Sequence, residues 1–304
     1  MLESEQMQQI DPGADNELGN TVLVVRGYYM DDGVRKNYEK LRTDLEHVCD
    51  VVFLYDSKPG KMSDTDVPGP AVAFDQDDWS KYKQPDPFNK TFIPGNEETM
   101  FLMFAENYPA RDFYWFIEYD VVFSGDWRNL VLNFSASDSD LIATTLMRYR
   151  DIPDWKIWRS LVVPEGGVLE EKDMLRSFLP VCRFSARALK MLQTRLASGW
   201  SGHPEALVAS LLLHEGYQVE DLGGDGEFVR PENRGRFYSN TPTNPDLSPG
   251  TFVFRPKMEN AGEQPDMLWH PVKSDKVAVW DTPPSPLVRL RRRLSRRLAG
   301  LLGS

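Results

Sequence analysis

Cysteine is scarce in this chain of 304 residues, with only Cys49 and Cys182 present. The two lie far apart, and neither has the spacing of a metal site, which excludes a disulfide framework and a structural zinc site. A chain of this length can bury a sizeable core without crosslinks. We therefore expect one large α/β domain in a reducing compartment.

Long hydrophobic runs and glycine-rich signatures are also missing. No apolar run approaches the ~18 residues that a membrane-spanning helix needs. The acidic first residues lack the basic start and apolar run of a secretory signal, so residues 1–19 are predicted to be a disordered leader. The first predicted strand, Thr21–Arg26, is not followed by the dinucleotide-binding glycine fingerprint, and Gly60–Met62 lacks the P-loop spacing. Rossmann dehydrogenases and P-loop NTPases are therefore disfavoured.

Acidic residues outnumber basic ones outside the last 20 residues. The formal net charge is -11 even though residues 285–304 carry six arginines and no acid. An acidic body argues against a general nucleic-acid surface, because phosphate contacts need clustered Lys and Arg. We expect no nucleic-acid partner, and a cation-bridged anionic substrate is more plausible than one held by basic residues alone.

The carboxyl-terminal segment has its own pattern. Residues 286–302 place leucines at spacings of three and four with arginines between them, which predicts a basic amphipathic helix over 285–304. Such a helix can lie on an anionic membrane or dock on an acidic partner; the alternative is packing against its own acidic body. The first interpretation predicts a cytoplasmic protein that is peripheral at the inner face of a membrane.

The chain is organised around the run from Arg111 to Asp120. Its apolar centre, Phe113–Ile117, is typical of a strand buried on both faces of a parallel sheet. Glu118 and Asp120 stand at the carboxyl end of that strand, where ligands bind in open α/β sheets, and alternation places them on one side. Two carboxylates there can share Mg²⁺ or Mn²⁺. The alternative is a solvated turn that precedes a helix.

Periodicity and turn residues predict the other elements. Strands are predicted at Thr21–Arg26, Val51–Asp56 and Asp140–Thr145, and long surface loops at 57–94 and 223–266. Helices are predicted at about 33–47, from Glu97, at 127–134, at 186–196 and from Pro204. Asp56, at the end of its strand, is predicted either to contact a base or ribose or to begin a turn.

Three other positions carry open alternatives. The aromatic and arginine-rich segment from Met147 to Pro164 is either a stacking platform for a sugar or base, or a loop pinned to the core. Glu205, after Gly-rich residues and Pro204, is either ordinary helix-start chemistry or a carboxylate that orients or deprotonates an acceptor hydroxyl. His270 is either a core residue or a nitrogen ligand that favours Mn²⁺, with Lys273 nearby to meet a phosphate.

In order and spacing, five motifs together resemble glycosyltransferases of the GT-A fold, in a form that has Glu-Tyr-Asp in place of Asp-X-Asp. They cover about residues 21 to 273 and are Tyr114–Asp120, Gly125–Trp127, Arg183–Ser185, Gly202–Glu205 and His270–Lys273. The resemblance implies a GT-A-like α/β domain over residues 20–284, with a mostly parallel central sheet flanked by helices.

The resemblance also implies a division of roles among the site residues. Glu118 and Asp120, with His270 as a third ligand, would hold Mn²⁺ or Mg²⁺ against the diphosphate of a nucleotide-sugar. Asp56, Arg183 and Lys273 would contact that donor, and Glu205 would take the place of the acidic catalytic or acceptor-orienting residue. The expected activity is sugar transfer to a hydroxyl of a glycan, lipid or protein. The alternative is a non-catalytic glycan- or nucleotide-binding module recruited through its basic tail.

Overall fold

The computed structural model describes residues 16–56, 62, 66–74 and 97–273. Most of the predicted leader and the whole of the predicted basic helix lie outside these residues. By their internal contacts, Met1–Val272 form one unit and Lys273–Ser304 a second, of which only Lys273 is described. Residues 16–19, assigned above to the leader, lie against the body, because the backbone amides of Glu17 and Leu18 donate to the carbonyls of His47 and Val48 at 3.0 Å each.

The described residues form the following strands and helices. The strands are β1 (Thr21–Gly27), β2 (Asp50–Asp56), β3 (Ala71–Phe74), β4 (Phe113–Glu118), β5 (Val122–Phe123), β6 (Leu141–Arg148), β7 (Leu175–Ser185), β8 (Val219–Asp221) and β9 (Leu268–Trp269). The helices are α1 (Asp32–Asp44), α2 (Glu97–Asn107), α3 (Trp127–Leu132), α4 (Ala186–Ala197) and α5 (Pro204–His214).

Seven of these strands form one twisted sheet in the order β3-β2-β1-β4-β7-β6-β8, and β5 pairs with β9 in a small second sheet. Pairing is parallel between β2 and β3, β1 and β2, β1 and β4, and β6 and β8. Within the seven-stranded sheet only β7 runs antiparallel to its neighbours, β4 and β6, and β5 and β9 also pair antiparallel. The predicted α/β class, a mostly parallel central sheet flanked by helices, is confirmed.

Both faces of the sheet are covered, as the apolar run in β4 predicts. Successive side chains of a strand point to opposite faces. Trp115 and Ile117 therefore join α1 and α3 on one face, whereas Tyr114 and Phe116 join α2, α4 and α5 on the other. The four are at most 3% exposed, so β4 is the buried centre of the fold and its carboxyl end emerges between two helical layers.

The longest strand, β7, was not predicted. All eleven of its residues are buried, although they include Arg176, Ser177, Pro180 and Arg183. A charged residue can be buried when its polar atoms find partners, and Arg183 donates to the carbonyls of Phe134, Ser137 and Ser139. A hydropathy pattern cannot show those partners, because they come from distant parts of the chain.

The two predicted loops differ from expectation in one respect each. Within 57–94, the structure has the edge strand β3, which pairs with β2 through Phe53 and Ala71. The segment 223–266 is irregular, as predicted, but it is packed rather than loose, since Leu247, Phe252 and Val253 are at most 1% exposed. This segment forms part of the wall around His270.

Candidate metal centre

Three side chains that could ligate a metal converge at the carboxyl end of β4. Glu118, Asp120 and His270 each offer one ligand atom, and these atoms all lie within 4.8 Å of one another. His270 Nε2 is 3.3 Å from Glu118 Oε2 and 3.8 Å from Asp120 Oδ1. The side chain of Glu118 is 22% exposed, whereas Asp120 is 1% and His270 6% exposed. The cluster is therefore open to solvent on the Glu118 side.

The small sheet explains how a histidine 150 positions away reaches the acidic pair. In it, Val122 pairs with Trp269 and Phe123 with Leu268, which fixes β9 beside the segment that follows Asp120. The backbone amide of Val272 donates to the carbonyl of Asp120 at 2.9 Å, on the other side of His270. His270 is thus held in register by backbone pairing before and after it.

The ring of His270 has a defined orientation. Its Nδ1 lies 2.8 Å from the carbonyl oxygen of Val253. A carbonyl can only accept, so Nδ1 carries a proton and Nε2 faces the carboxylates. Phe178 and Phe252 pack against the ring, each at 5.3 Å between centroids. With Nδ1 hydrogen-bonded to the carbonyl of Val253, Nε2 is the ring nitrogen that can ligate a metal.

Burial and charge act in opposite directions on His270. Burial alone lowers the pKa of the imidazole, but the charges of Asp120 and Glu118 and the hydrogen bonds to Glu118 and Val253 outweigh it, so the pKa is raised above 6.5. The cluster therefore attracts positive charge strongly. A proton on Nε2 and a metal ion are alternative ways of supplying that charge.

The arrangement fits a divalent ion. Ligand atoms that share one ion with bonds of about 2.1 Å lie about 3 to 4 Å apart. His270 Nε2 lies 3.3 Å from Glu118 Oε2 and 3.8 Å from Asp120 Oδ1. Two carboxylate oxygens suit Mg²⁺ or Mn²⁺, and the imidazole nitrogen tips the preference towards Mn²⁺. The donor set is chemically suited to such an ion.

Arg26, on β1, is a member of the site that the sequence did not single out. It pairs directly across from Glu118 in the sheet register, and its Nη2 donates to Glu118 Oε1 at 2.9 Å and to the carbonyl of Leu179 at 3.1 Å. The guanidinium lies 5.2 Å from the ring centre of Phe101, and the side chain is 5% exposed. One oxygen of Glu118 is therefore engaged by a buried cation while the other faces His270.

Tyrosines line the carboxyl end of β1 next to this cluster. The hydroxyl of Tyr119 donates to that of Tyr28 at 2.9 Å, and the rings of Tyr28 and Tyr29 lie 5.1 Å and 4.8 Å from that of Tyr119. Tyr119 is buried, as the alternation of β4 predicts, whereas Tyr28 and Tyr29 are half-buried. The half-buried rings offer an aromatic surface beside the acidic cluster.

Glu205 lies in the first turn of α5, which begins at Pro204 as the sequence predicts. His203 is the N-cap, its Nδ1 accepting from the amide of Glu205 at 3.3 Å; burial lowers the pKa of His203 to about 4, which keeps the ring neutral for this role. The carbonyl of Glu205 accepts from Ser177 Oγ at 3.3 Å. Phe178, the residue that follows Ser177 in β7, packs on the ring of His270. Strand β7 therefore links the helix start to the metal cluster.

The aromatic segment after β6 is mostly anchored to the core. Trp158 is 7% exposed, its Nε1 donates to the carbonyl of Ile152 at 3.0 Å, and its ring packs edge-on against Trp155 at 4.9 Å. Trp155 is half-buried, with the guanidinium of Arg176 at 4.8 Å from its ring centre. Burial lowers the pKa of Arg176, and the charge of Glu205 opposes that shift. Trp158 thus anchors the segment, and Arg176 lies near both Trp155 and Glu205.

The structure assigns Arg183 to another region. It pairs with Trp115 inside the sheet, and its guanidinium lies 4.2 Å from the ring centre of Phe113, at the amino end of β4. Its hydrogen bonds go to three carbonyls in the core, and the donor contact implied by the resemblance stays a prediction. A pocket of about 230 Å³ is partly lined by Arg183, Asp112 and Phe113, so it too lies at this end, away from the acidic cluster.

Two further predicted residues are only partly defined. Asp56 ends β2 and pairs with Phe74, so its backbone lies at the carboxyl edge of the sheet, but its side chain is outside the described set. Lys273 is the last described residue and is half-buried. Their contacts with a donor stay predictions.

No protein-family model and no curated protein matches this chain. Several solved structures are similar in fold. A 4-diphosphocytidyl-2C-methyl-D-erythritol synthase from Anaerococcus prevotii is 7% identical, with a TM-score of 0.38 over 66% of this chain and 86% of its own. A 2-C-methyl-D-erythritol 4-phosphate cytidylyltransferase from Thermus thermophilus is 16% identical, with a TM-score of 0.37 over 70% of this chain and 94% of its own.

A glycosyltransferase involved in the glycosylation of the major capsid of PBCV-1 is 11% identical, with a TM-score of 0.30 over 57% of this chain and 63% of its own. At such identities and scores the likeness carries no argument about the family or the activity of this chain. Function has to be inferred from the site itself. Among the described residues, no helix has the length and apolar character needed to cross a membrane.

Proposed function

We propose that this protein is a metal-dependent glycosyltransferase that moves a sugar from a nucleotide-sugar donor to a hydroxyl of a glycan, lipid or protein. The observation that carries the proposal is the convergence of Glu118, Asp120 and His270 at the carboxyl end of a mostly parallel sheet, the edge at which such sheets bind ligands. Folding alone does not require that two acids two residues apart meet an oriented imidazole from 150 positions further along the chain.

The residues of the cluster would hold the ion through Glu118 Oε2, Asp120 Oδ1 and His270 Nε2. A bound divalent cation neutralises the charge that develops on a departing nucleoside diphosphate. The half-buried rings of Tyr28 and Tyr29 offer a stacking surface for the base, and Asp56 at the next strand end is our candidate for the ribose or base contact. Lys273 is proposed to meet a phosphate.

Glu205 is proposed to orient or deprotonate the acceptor hydroxyl. It stands on a helix that starts with a neutral His203 cap, so its backbone position is rigid. The buried Arg176 lies close enough to Glu205 for their opposite charges to attract. The half-buried Trp155, with Arg176 over its ring, is proposed to stack against the acceptor sugar.

A screen of nucleotide-sugars tests the proposal. One donor should raise the melting temperature of the full-length protein in the presence of Mn²⁺ and not in its absence, because binding stabilises the folded state. With an acceptor added, that donor should release a nucleoside diphosphate together with a glycosylated product. Binding without any turnover would favour a non-catalytic glycan- or nucleotide-binding module, and release of inorganic pyrophosphate would indicate a nucleotidyltransferase.

A further inference from the structure

Arg26 gives the metal centre a charge balance that a simple pair of acids does not have. The guanidinium is 5% exposed and donates to Glu118 Oε1 at 2.9 Å. It is also fixed by the carbonyl of Leu179 at 3.1 Å, so it does not depend on Glu118 alone for its position. A buried arginine remains charged, and this one is a permanent part of the site.

The consequence for an incoming ion follows from the charges. Two carboxylates alone would cancel a divalent cation and leave a neutral complex. Arg26 adds one positive charge beside Glu118, Asp120 and the ion, whereas His270 ligates in its neutral form and adds none. Arg26 therefore repels a free ion, but it adds attraction for an anion that arrives with the ion.

We propose that Arg26 is a positioning residue that weakens the binding of a free divalent cation and couples it to the binding of a diphosphate. The inference rests on the proposed function, since it takes the diphosphate of the donor as the anion. Coupling of this kind is reciprocal. The diphosphate raises the affinity of the protein for the ion by the same factor by which the ion raises its affinity for the diphosphate. The free enzyme would then bind its metal weakly and the donor-bound enzyme tightly.

The test measures Mn²⁺ and pyrophosphate binding to the full-length protein and to three variants. Mn²⁺ affinity is read from the electron paramagnetic resonance signal of the free ion, and pyrophosphate affinity is measured by calorimetry at saturating Mn²⁺. Arg26→Met removes the charge and Arg26→Lys keeps it. The matched control is Arg111→Met, which breaks a similarly buried arginine pair with Asp50 (2.7 Å; exposed fractions 4% and 17%) at the other end of β4.

The expected results differ in direction between the two ligands. Arg26→Met should bind Mn²⁺ alone about tenfold more tightly than the wild type, and pyrophosphate about tenfold more weakly, the size expected when a charge a few ångströms away is lost. Arg26→Lys should restore both values to within about threefold, and Arg111→Met should match the wild type. If Arg26 has only a structural role, Arg26→Met should bind both Mn²⁺ and pyrophosphate more weakly than the wild type. That result overturns the inference, and so does an unchanged Mn²⁺ affinity.

Two further arms keep the test decisive. If Arg26→Met does not fold, Arg26→Gln removes the charge while keeping an amide donor towards Glu118. In the wild type, a Mn²⁺–pyrophosphate complex should bind at least about tenfold more tightly than Mn²⁺ alone, and equal affinities contradict the coupling. If neither wild type nor variant binds Mn²⁺, the proposed function fails as well; if Mn²⁺ binds and the Arg26 variants change nothing, only the role of Arg26 is lost.

Discussion

The two ends of β4 carry the same kind of ion pair in different surroundings. At the amino end, Arg111 donates to Asp50 at 2.7 Å; at the carboxyl end, Arg26 donates to Glu118 at 2.9 Å, with similar burial. The carboxyl end then adds Asp120 and the imidazole of His270 within a few ångströms. In the first pair one positive charge meets one negative charge, and the pair stabilises the fold. The second pair has an additional acid beside it, which would serve to bind a cation rather than to stabilise the fold.

The largest effect should come from the additional acid. Asp120→Asn is expected to lower kcat/KM at least about a thousandfold, or about 4 kcal/mol, because it removes a charged ligand from the ion. The matched change at the amino end, Asp50→Asn, should leave kcat/KM within about threefold. Steady-state assays of both variants with the donor from the screen provide the comparison. An active Asp120→Asn variant would remove the metal site from the account.

Metal-dependent stability should separate the two arginines. Breaking either buried pair should cost about 3 kcal/mol of unfolding free energy in metal-free protein, because each leaves a carboxylate without its main partner. Saturating Mn²⁺ should reduce the stability difference between Arg26→Met and the wild type, since the ion supplies the missing positive charge, and should leave the difference between Arg111→Met and the wild type unchanged. Urea titrations with and without Mn²⁺ give these values. Equal recovery in both variants would show that the ends do not differ in this way.

Glu205 should affect the chemical step more than donor binding. Glu205→Gln keeps the size of the side chain and its place in the first turn of α5, but it cannot accept a proton. We expect kcat to fall about a hundredfold with little change in donor affinity. Equal losses in kcat and in donor affinity would instead assign Glu205 a binding or structural role.

The smallest effect concerns pH. The pKa of His270 is raised in the folded protein, so the folded state binds its proton more strongly than the unfolded state does. In metal-free protein this contribution to stability is fully present below pH 6.5 and is lost as the pH rises through the higher folded pKa. Denaturation at several pH values should show that decline in the wild type. A decline of the same size in His270→Asn would assign it to another group.

Much of the fold can be predicted because its determinants are local. The apolar run of β4 predicts a strand buried on both faces, and alternation predicts that Tyr119 turns away from Glu118 and Asp120. Helix starts are equally local, as when Asp31 accepts from the amide of Val34 at 2.9 Å and Ser185 from that of Ala188 at 3.2 Å. Proline at the start of α5 follows the same logic.

What could not be predicted depends on distant partners. Arg26 was assigned only to a strand end, because its partner Glu118 is 92 positions away and the parallel register that joins them is not visible in either segment. The same holds for β7, whose arginines are buried through carbonyls and rings from other parts of the chain. One feature of the sequence does indicate such a site. An arginine directly after an apolar run, as Arg26 is, costs free energy to bury and therefore needs an acid nearby.

The most direct test of the central claim is a crystal structure of the protein with Mn²⁺ and a nucleoside diphosphate, with anomalous diffraction recorded at the manganese edge. The account predicts an anomalous peak about 2.2 Å from oxygens of Glu118 and Asp120 and from Nε2 of His270, with diphosphate oxygens completing the coordination. A peak bound elsewhere, or a diphosphate held away from these three side chains, would contradict it.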